Sequence, residues 1–153
     1  MGEASPVLPW RMATRRDCRT LAEMNHQLIA DEGHRNPMSV PELESRLRSW
    51  LEEGYEAVLF HRDAEVAAYA LYRAQSDEIY LRHFFVARHL RRRGIGRQAF
   101  ALLRDKIWPK GQRLTVSVLT HNEAGLKFWR ALGYKDYCLT LEILPPPNPA
   151  AGS

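Results

Sequence analysis

The chain has 153 residues and a mass of 17.7 kDa, the size of one ordinary domain, with 45% hydrophobic and 26% charged residues. That balance excludes intrinsic disorder as the default; two cysteines, Cys18 and Cys138, exclude a disulfide scaffold, and no apolar run reaches the ~18 residues of a membrane helix. The net charge is +4, yet Ile79 to Arg104 holds seven arginines and no acid, so that stretch carries +7 and the remainder −3.

Pro6 to Met12 reads as a short extended opening, and Thr14 as the cap of a helix from about Arg15 to Asp31 with Cys18, Leu21, Met24 and Leu28 along one stripe. Gly33 and Pro37 punctuate the next stretch. Ser39-Val-Pro-Glu42 is a capping box that opens a second helix, whose apolar stripe is Val40, Leu43, Leu47, Trp50 and Leu51 and which Gly54 ends. Tyr55 to His61 and Glu65 to Arg73 flank the tight turn Arg62-Asp-Ala64, and Glu78 to Ala87 is a third strand rich in Tyr, Phe, Ile and Val. Gly94-Ile-Gly96 leads into a periodic helix that Pro109 and Gly111 stop. Arg113 to Leu119 reads as a buried strand, Asn122 caps a helix to about Leu132, and Tyr134 to Leu144 returns to strand character. The Pro-rich tail, 145–153, follows as a flexible end to a single domain over 1–144. Tight turns make the early strands antiparallel, and the strand–helix–strand crossover from Glu78 to Leu119 demands a parallel pair. The predicted fold is α/β (α+β), a mixed, mostly antiparallel sheet with one parallel pair and helices on both faces.

The run Arg91-Arg92-Arg93-Gly94-Ile95-Gly96-Arg97 lies between a strand and a helix. A helix N-terminus exposes unpaired amides and the positive end of the helix dipole, glycines let a phosphate approach the backbone, and arginines add charge-assisted hydrogen bonds. The run lacks the Gly-Lys-Ser/Thr ending of a P-loop and has one glycine too few for a dinucleotide fingerprint.

Arg91-x-x-Gly94-x-Gly96 after Phe84-Phe85-Val86, with Asn122-x-x-Gly125-x-x-Phe128-Trp129-x-x-x-Gly133-Tyr134, resembles the two signatures of the GNAT superfamily of acetyl-CoA-dependent N-acetyltransferases. The order of elements agrees from about Leu8 to Ile143. The resemblance implies a GNAT-like fold and an enzyme that moves the acetyl group of acetyl-CoA to a primary amine of a small molecule or peptide. It implies that the backbones of Phe84, Phe85 and Val86 meet the pantetheine arm. The turn Arg91, Arg92, Arg93, Gly94, Ile95 and Gly96, with Arg97 and Gln98, would hold the pyrophosphate. Asn122, Phe128 and Trp129 would wall the cofactor arm, Asn122 serving also as a helix cap.

Acyl transfer needs a neutral amine, a polarised thioester carbonyl and a proton for the leaving thiolate. Many relatives place a tyrosine acid where this chain has Trp129, and indole is no acid at neutral pH. Tyr134 and Tyr137 are the substitutes nearby in sequence. For the base, strict alternation puts residues 78, 80, 82, 84 and 86 on one strand face, making Glu78 the first candidate with Tyr80 beside it, and turning His83 away. The loop after the first helix often lines the acceptor site in this family, so Asp31 and Glu32, with His34, are expected to attract a cationic amine.

The six histidines are scattered and neither cysteine is paired in a CxxC spacing, so no metal is expected. With neither a signal peptide nor a membrane span, the expected compartment is the cytoplasm. A CoA-binding protein of this fold without catalysis is one alternative reading. A basic nucleic-acid-binding module is another, set lower because the helix after Gly96 presents Ile, Ala, Leu and Phe rather than a continuous basic face. A homodimer through the last strand is a further expectation.

Overall fold

The computed structural model describes residues 8–148. Five strands form one sheet in the order β1-β2-β3-β4-β5: β1 (Trp10–Met12), β2 (Tyr55–Arg62), β3 (Glu65–Ala74), β4 (Glu78–Val86) and β5 (Arg113–Val116). The first three pairings are antiparallel and β4–β5 is parallel. Helices α1 (Cys18–Glu32) and α2 (Val40–Glu52) cover one face; α3 (Ile95–Leu102) and α4 (Glu123–Ala131) belong to the other. The mixed sheet with helices on both faces is the one the sequence predicts.

Each face has its own core. Leu21, Leu28, Leu43 and Leu47 from the first helix pair close on Ala57, Leu59, Tyr69, Leu71 and Phe85. Phe60, Ala70, Tyr72, Ile79 and Leu81 meet Ile95, Ala99, Phe100, Leu103 and Trp129 on the opposite side. The α2 start is the expected capping box: Ser39 Oγ accepts from the Glu42 amide at 3.4 Å, and Glu42 Oε1 accepts from the Ser39 amide at 3.1 Å. Helix α3 runs on as a π-helical segment, Leu103–Ile107.

Three expectations change. First, Leu71 pairs with His83 but Tyr72 pairs with Leu81, so Arg82 is an extra residue in β4, a bulge. Strict alternation therefore fails there: Ile79 and Leu81 face α3 and α4, whereas beyond the bulge the even residues Phe84 and Val86 do. Glu78 and Tyr80 thus lie on the face opposite Phe84, not beside it. Second, β5 ends at Val116 and is only partly buried, short of the expected Leu119. Third, no strand forms over Tyr134 to Leu144. Tyr137, Leu139, Leu141 and Ile143 alternate as a strand's apolar face would, but 65–99% of each is exposed, because the segment makes no ladder with the β5 edge. Arg130 to Asp136 (2.7 Å) and Arg35 to Glu142 (2.8 Å) tether it instead. The expected strand start at Pro6 and the end of the Pro-rich tail fall outside the described residues.

Candidate active site

β4 and β5 pair only from Glu78–Arg113 to Leu81–Val116. Beyond that point β4 continues to Val86 while β5 has ended, so the β4 edge from Arg82 to Val86 faces open space on the side away from β3. A cleft of about 650 Å³ fills the split, bounded by α1, β4, the turn before α3, and α4. An extended amide-bearing ligand can pair with such an edge as an added strand does.

The turn at the end of this edge has the geometry of an anion cradle. Arg92 and Gly94 are both left-handed, at φ 65° and 78°, and no amide from Arg92 to Arg97 donates to a backbone carbonyl among the described residues. The first helical bond is Gln98 N–H to Gly94 carbonyl, 3.0 Å. These amides lie at the end of α3 where the helix dipole is positive. Gly96 contributes in another way, since a Cβ there would come within 3.2 Å of the Phe128 ring, and its absence lets α3 pack against α4. Arg92, Arg93 and Arg97 form no ion pair among the described residues.

Arg91, expected on the phosphates, does something else with its side chain. Its Nε donates to the Val86 carbonyl at 2.9 Å and its Nη2 to Asp31 at 2.7 Å. Arg88, which sequence reasoning passed over, grips the same carboxylate at 2.6 Å. Asp31 therefore bolts the end of α1 to the turn and does not stand free for a cationic amine. Partial burial works against its charge, but the two arginines outweigh it and hold the carboxyl below its usual range.

Glu32 is in a different situation. It lines the cleft, accepts from Asn122 Nδ2 at 3.2 Å, and lies 3.5 Å from His34 Nε2. Burial pushes its carboxyl above the ordinary glutamate range, with His34 partly opposing the shift. Asn122 is also the α4 cap, its Oδ1 accepting from the Gly125 amide at 3.0 Å. Gly125 is needed here, since a Cβ would fall 2.5 Å from the Asn122 side chain.

The cleft brings together Phe84, Phe85, Val86, Arg91, Arg92, Gly94, Ile95, Gly96, Arg97, Asn122, Phe128 and Trp129 with Asp31, Glu32 and His34. Arg93 and Gln98 belong to the turn without lining the cleft. Phe84 stacks on Phe128 at 5.9 Å, and Trp129 meets both rings edge-on, at 5.3 and 4.8 Å. Tyr80 lines the cleft where β4 and β5 part, its hydroxyl donating to Ser117 Oγ at 3.4 Å. Glu78 does not reach the cleft: Thr115 donates to it at 2.7 Å and Arg113 lies 3.4 Å away, so it ties β4 to β5. Tyr134 packs behind Trp129, ring centres 5.4 Å apart. Its hydroxyl is buried without a hydrogen-bond partner among the described residues, and burial raises its pKa. A phenol so placed is a poor proton donor to the cleft.

Sequence reasoning missed the cleft's second wall. Asn25 from α1, Arg46 from α2 and Arg82 from the bulge all line it, with His83. Asn25 is 1% exposed, and a polar residue on the apolar stripe of α1 was the one signal available. Among the described residues, no group of three or more His, Cys, Asp and Glu side chains is placed to hold a metal ion, and no helix is long and apolar enough to cross a membrane.

A family model described as the acetyltransferase (GNAT) family matches residues 22–134. No curated protein matches the sequence. Among solved structures, a possible acetyltransferase from Clostridium difficile 630 superposes with a TM-score of 0.74 at 16% identity, covering 93% of this chain and 99% of that one. An aminoglycoside N-acetyltransferase, AAC(6')-Iy, in complex with CoA gives 0.72 at 14% identity, over 95% and 99% of the two chains. A ribosomal-protein-alanine N-acetyltransferase from Brucella melitensis biovar Abortus 2308 gives 0.71 at 15%, over 90% and 99%.

Proposed function

The chain belongs to the GNAT acetyltransferase family, and from that premise we propose that it transfers the acetyl group of acetyl-CoA to a primary amine of a small molecule or peptide. One observation supports this above the rest: an open β4 edge runs into a turn of undonated amides flanked by unpaired arginines. A pantetheine arm followed by a pyrophosphate needs that sequence of surfaces. The left-handed Gly94, with open space where a Cβ would stand, fits the same ligand, since it leaves the backbone free to approach it.

When bound, acetyl-CoA supplies a thioester whose carbonyl carbon accepts the amine. In this reading the amides from Arg92 to Arg97, with the side chains of Arg92, Arg93 and Arg97, hold the pyrophosphate. The backbones of Phe84 and Val86 pair with the pantetheine amides, and Phe128 and Asn122 wall the arm. Glu32 takes the proton of the incoming ammonium. Its raised pKa brings it nearer to that of an alkyl amine, ~10.4, than an exposed carboxylate would be. Glu32 replaces Glu78 in this role because Glu78 is committed to Thr115 and Arg113 outside the cleft. Tyr80 is the phenol lining the cleft and supplies the proton for the thiolate, regaining one from the nitrogen as the adduct collapses to the amide; Tyr134 is walled off by Trp129.

Thiol release from acetyl-CoA, followed across a panel of primary amines, tests the proposal. Amine-dependent release with an N-acetylated product is the expected result. Stabilisation by acetyl-CoA without release to any amine would leave a CoA-binding protein that lacks catalysis.

A further inference from the structure

At the α2 end of the cleft two guanidiniums crowd one ring. The Arg46 Cζ lies 4.3 Å from the centre of Trp50 and the Arg82 Cζ 4.5 Å from it. Both residues line the cleft, and among the described residues neither has a carboxylate within 4.0 Å. This sets them apart from Arg88 and Arg91 at the other end, whose charges meet Asp31.

Everything that holds the pair is neutral. Arg46 Nη2 donates to Asn25 Oδ1 at 3.2 Å. The Tyr69 hydroxyl keeps its proton, since burial raises its pKa, and is hydrogen-bonded with His83 Nδ1 at 3.2 Å. His83 is uncharged: burial, then Arg46 and Arg82, lower its pKa to about 3. Arg82 donates to the Tyr55 hydroxyl at 3.3 Å. The Arg46 Nε is buried and bonded to nothing among the described residues. Two like charges held over one aromatic ring repel, and a buried donor without an acceptor is a cost that folding alone does not offset. An oxyanion in the cleft would relieve the repulsion, and arginine is the side chain suited to grip one.

We propose that this corner binds an acidic group of the acceptor, a carboxylate or phosphate, so that the acceptor is an amine that also carries an anion. The ammonium then turns to Glu32 and the acid to Arg46 and Arg82, which line the same cleft. This rests on the N-acetyltransferase reading, and it adds an acidic group to the cationic amine that the sequence leads one to expect.

Matched pairs test it on the full chain with acetyl-CoA: β-alanine against β-alaninamide, and phosphoethanolamine against ethanolamine. Thiol release gives turnover, and the melting temperature gives binding without turnover. The acidic member of at least one pair is expected to be favoured 10-fold or more in kcat/KM, and which pair shows it tells carboxylate from phosphate. Arg46→Gln and the more exposed Arg82→Gln should each erase that preference, chiefly through KM, while acetyl-CoA still raises the melting temperature. Equal or better use of the neutral members, or an acid preference that survives both substitutions, overturns the proposal and leaves amine acetylation standing. If none of the four amines is acetylated, the acids must still raise the melting temperature of the wild type and not of the variants; otherwise this proposal falls too. That split separates a failed anion site from a failed transfer reaction.

Discussion

Two neighbouring carboxylates show how much a residue's chemistry depends on what surrounds it. Asp31 and Glu32 are adjacent in sequence, yet arginines pull the pKa of one down and burial pushes the other up. The acid held by Arg88 and Arg91 becomes a strut; the acid in the cleft, with His34 and an amide for company, becomes the candidate base. A base must be ionised to act, so activity should fall as pH drops through the raised pKa of Glu32. The acid limb of kcat/KM therefore belongs above ~4.3, the value of an exposed glutamate. Glu32→Gln, which can still accept from Asn122, should lower kcat/KM by about 10²-fold or more and flatten that limb. An unchanged pH profile in the variant would remove Glu32 from the mechanism.

Among the elements, β4 decides most. Its bulge at Arg82 inverts the alternation halfway along, so the half paired with β5 and the half facing the cleft present opposite registers. The same extra residue brings Arg82 to Trp50. The other decisive joint is between α1 and the arginine turn, made by Asp31. Its carboxyl is depressed in the folded state, so the stabilisation is present above the unfolded aspartate pKa, ~3.9, and is lost as pH falls through the lower folded value. Asp31→Asn should lower the melting temperature by a few degrees at pH 7, with the gap to wild type closing on acidification below about 4. Because Arg91 also holds the Val86 carbonyl, the variant should bind acetyl-CoA more weakly, measured by titration. Unchanged affinity would mean that the turn keeps its shape without the strut.

On the scale of the whole molecule, the local +7 sits on an otherwise acidic chain, and the fold divides it into parts with different duties. Arg88 and Arg91 share the single negative charge of Asp31, Arg92, Arg93 and Arg97 stand at the turn, Arg104 lies in the π-helical segment, and Arg82 belongs to the opposite wall. Acetyl-CoA at 100 times its Kd should stabilise the chain by about 2.7 kcal/mol, readable as a rise in melting temperature, whereas duplex DNA at low salt should produce no shift. A DNA-dependent shift that fades with added salt would favour the nucleic-acid alternative instead.

The α2 capping box and the glycine turn were legible from sequence because each depends on contacts a few residues apart, and the parallel crossover because a strand–helix–strand connection leaves no other pairing. So was the family, through two motifs with fixed spacing. Tyr134 to Leu144 misled for a physical reason: alternation records a strand's preference, but a strand exists only when a neighbouring edge accepts its hydrogen bonds. Glu78 misled because a bulge leaves no mark in period-two counting. Arg46, Asn25 and His83 could not be assembled from sequence, since α1, α2 and β4 meet only once the sheet has formed. Sequence alone determined the fold, the family and the place of the glycine turn. Tertiary structure alone decided which acid is a strut and which is free for chemistry, because a charge's role is set by the burial and counter-charges around it.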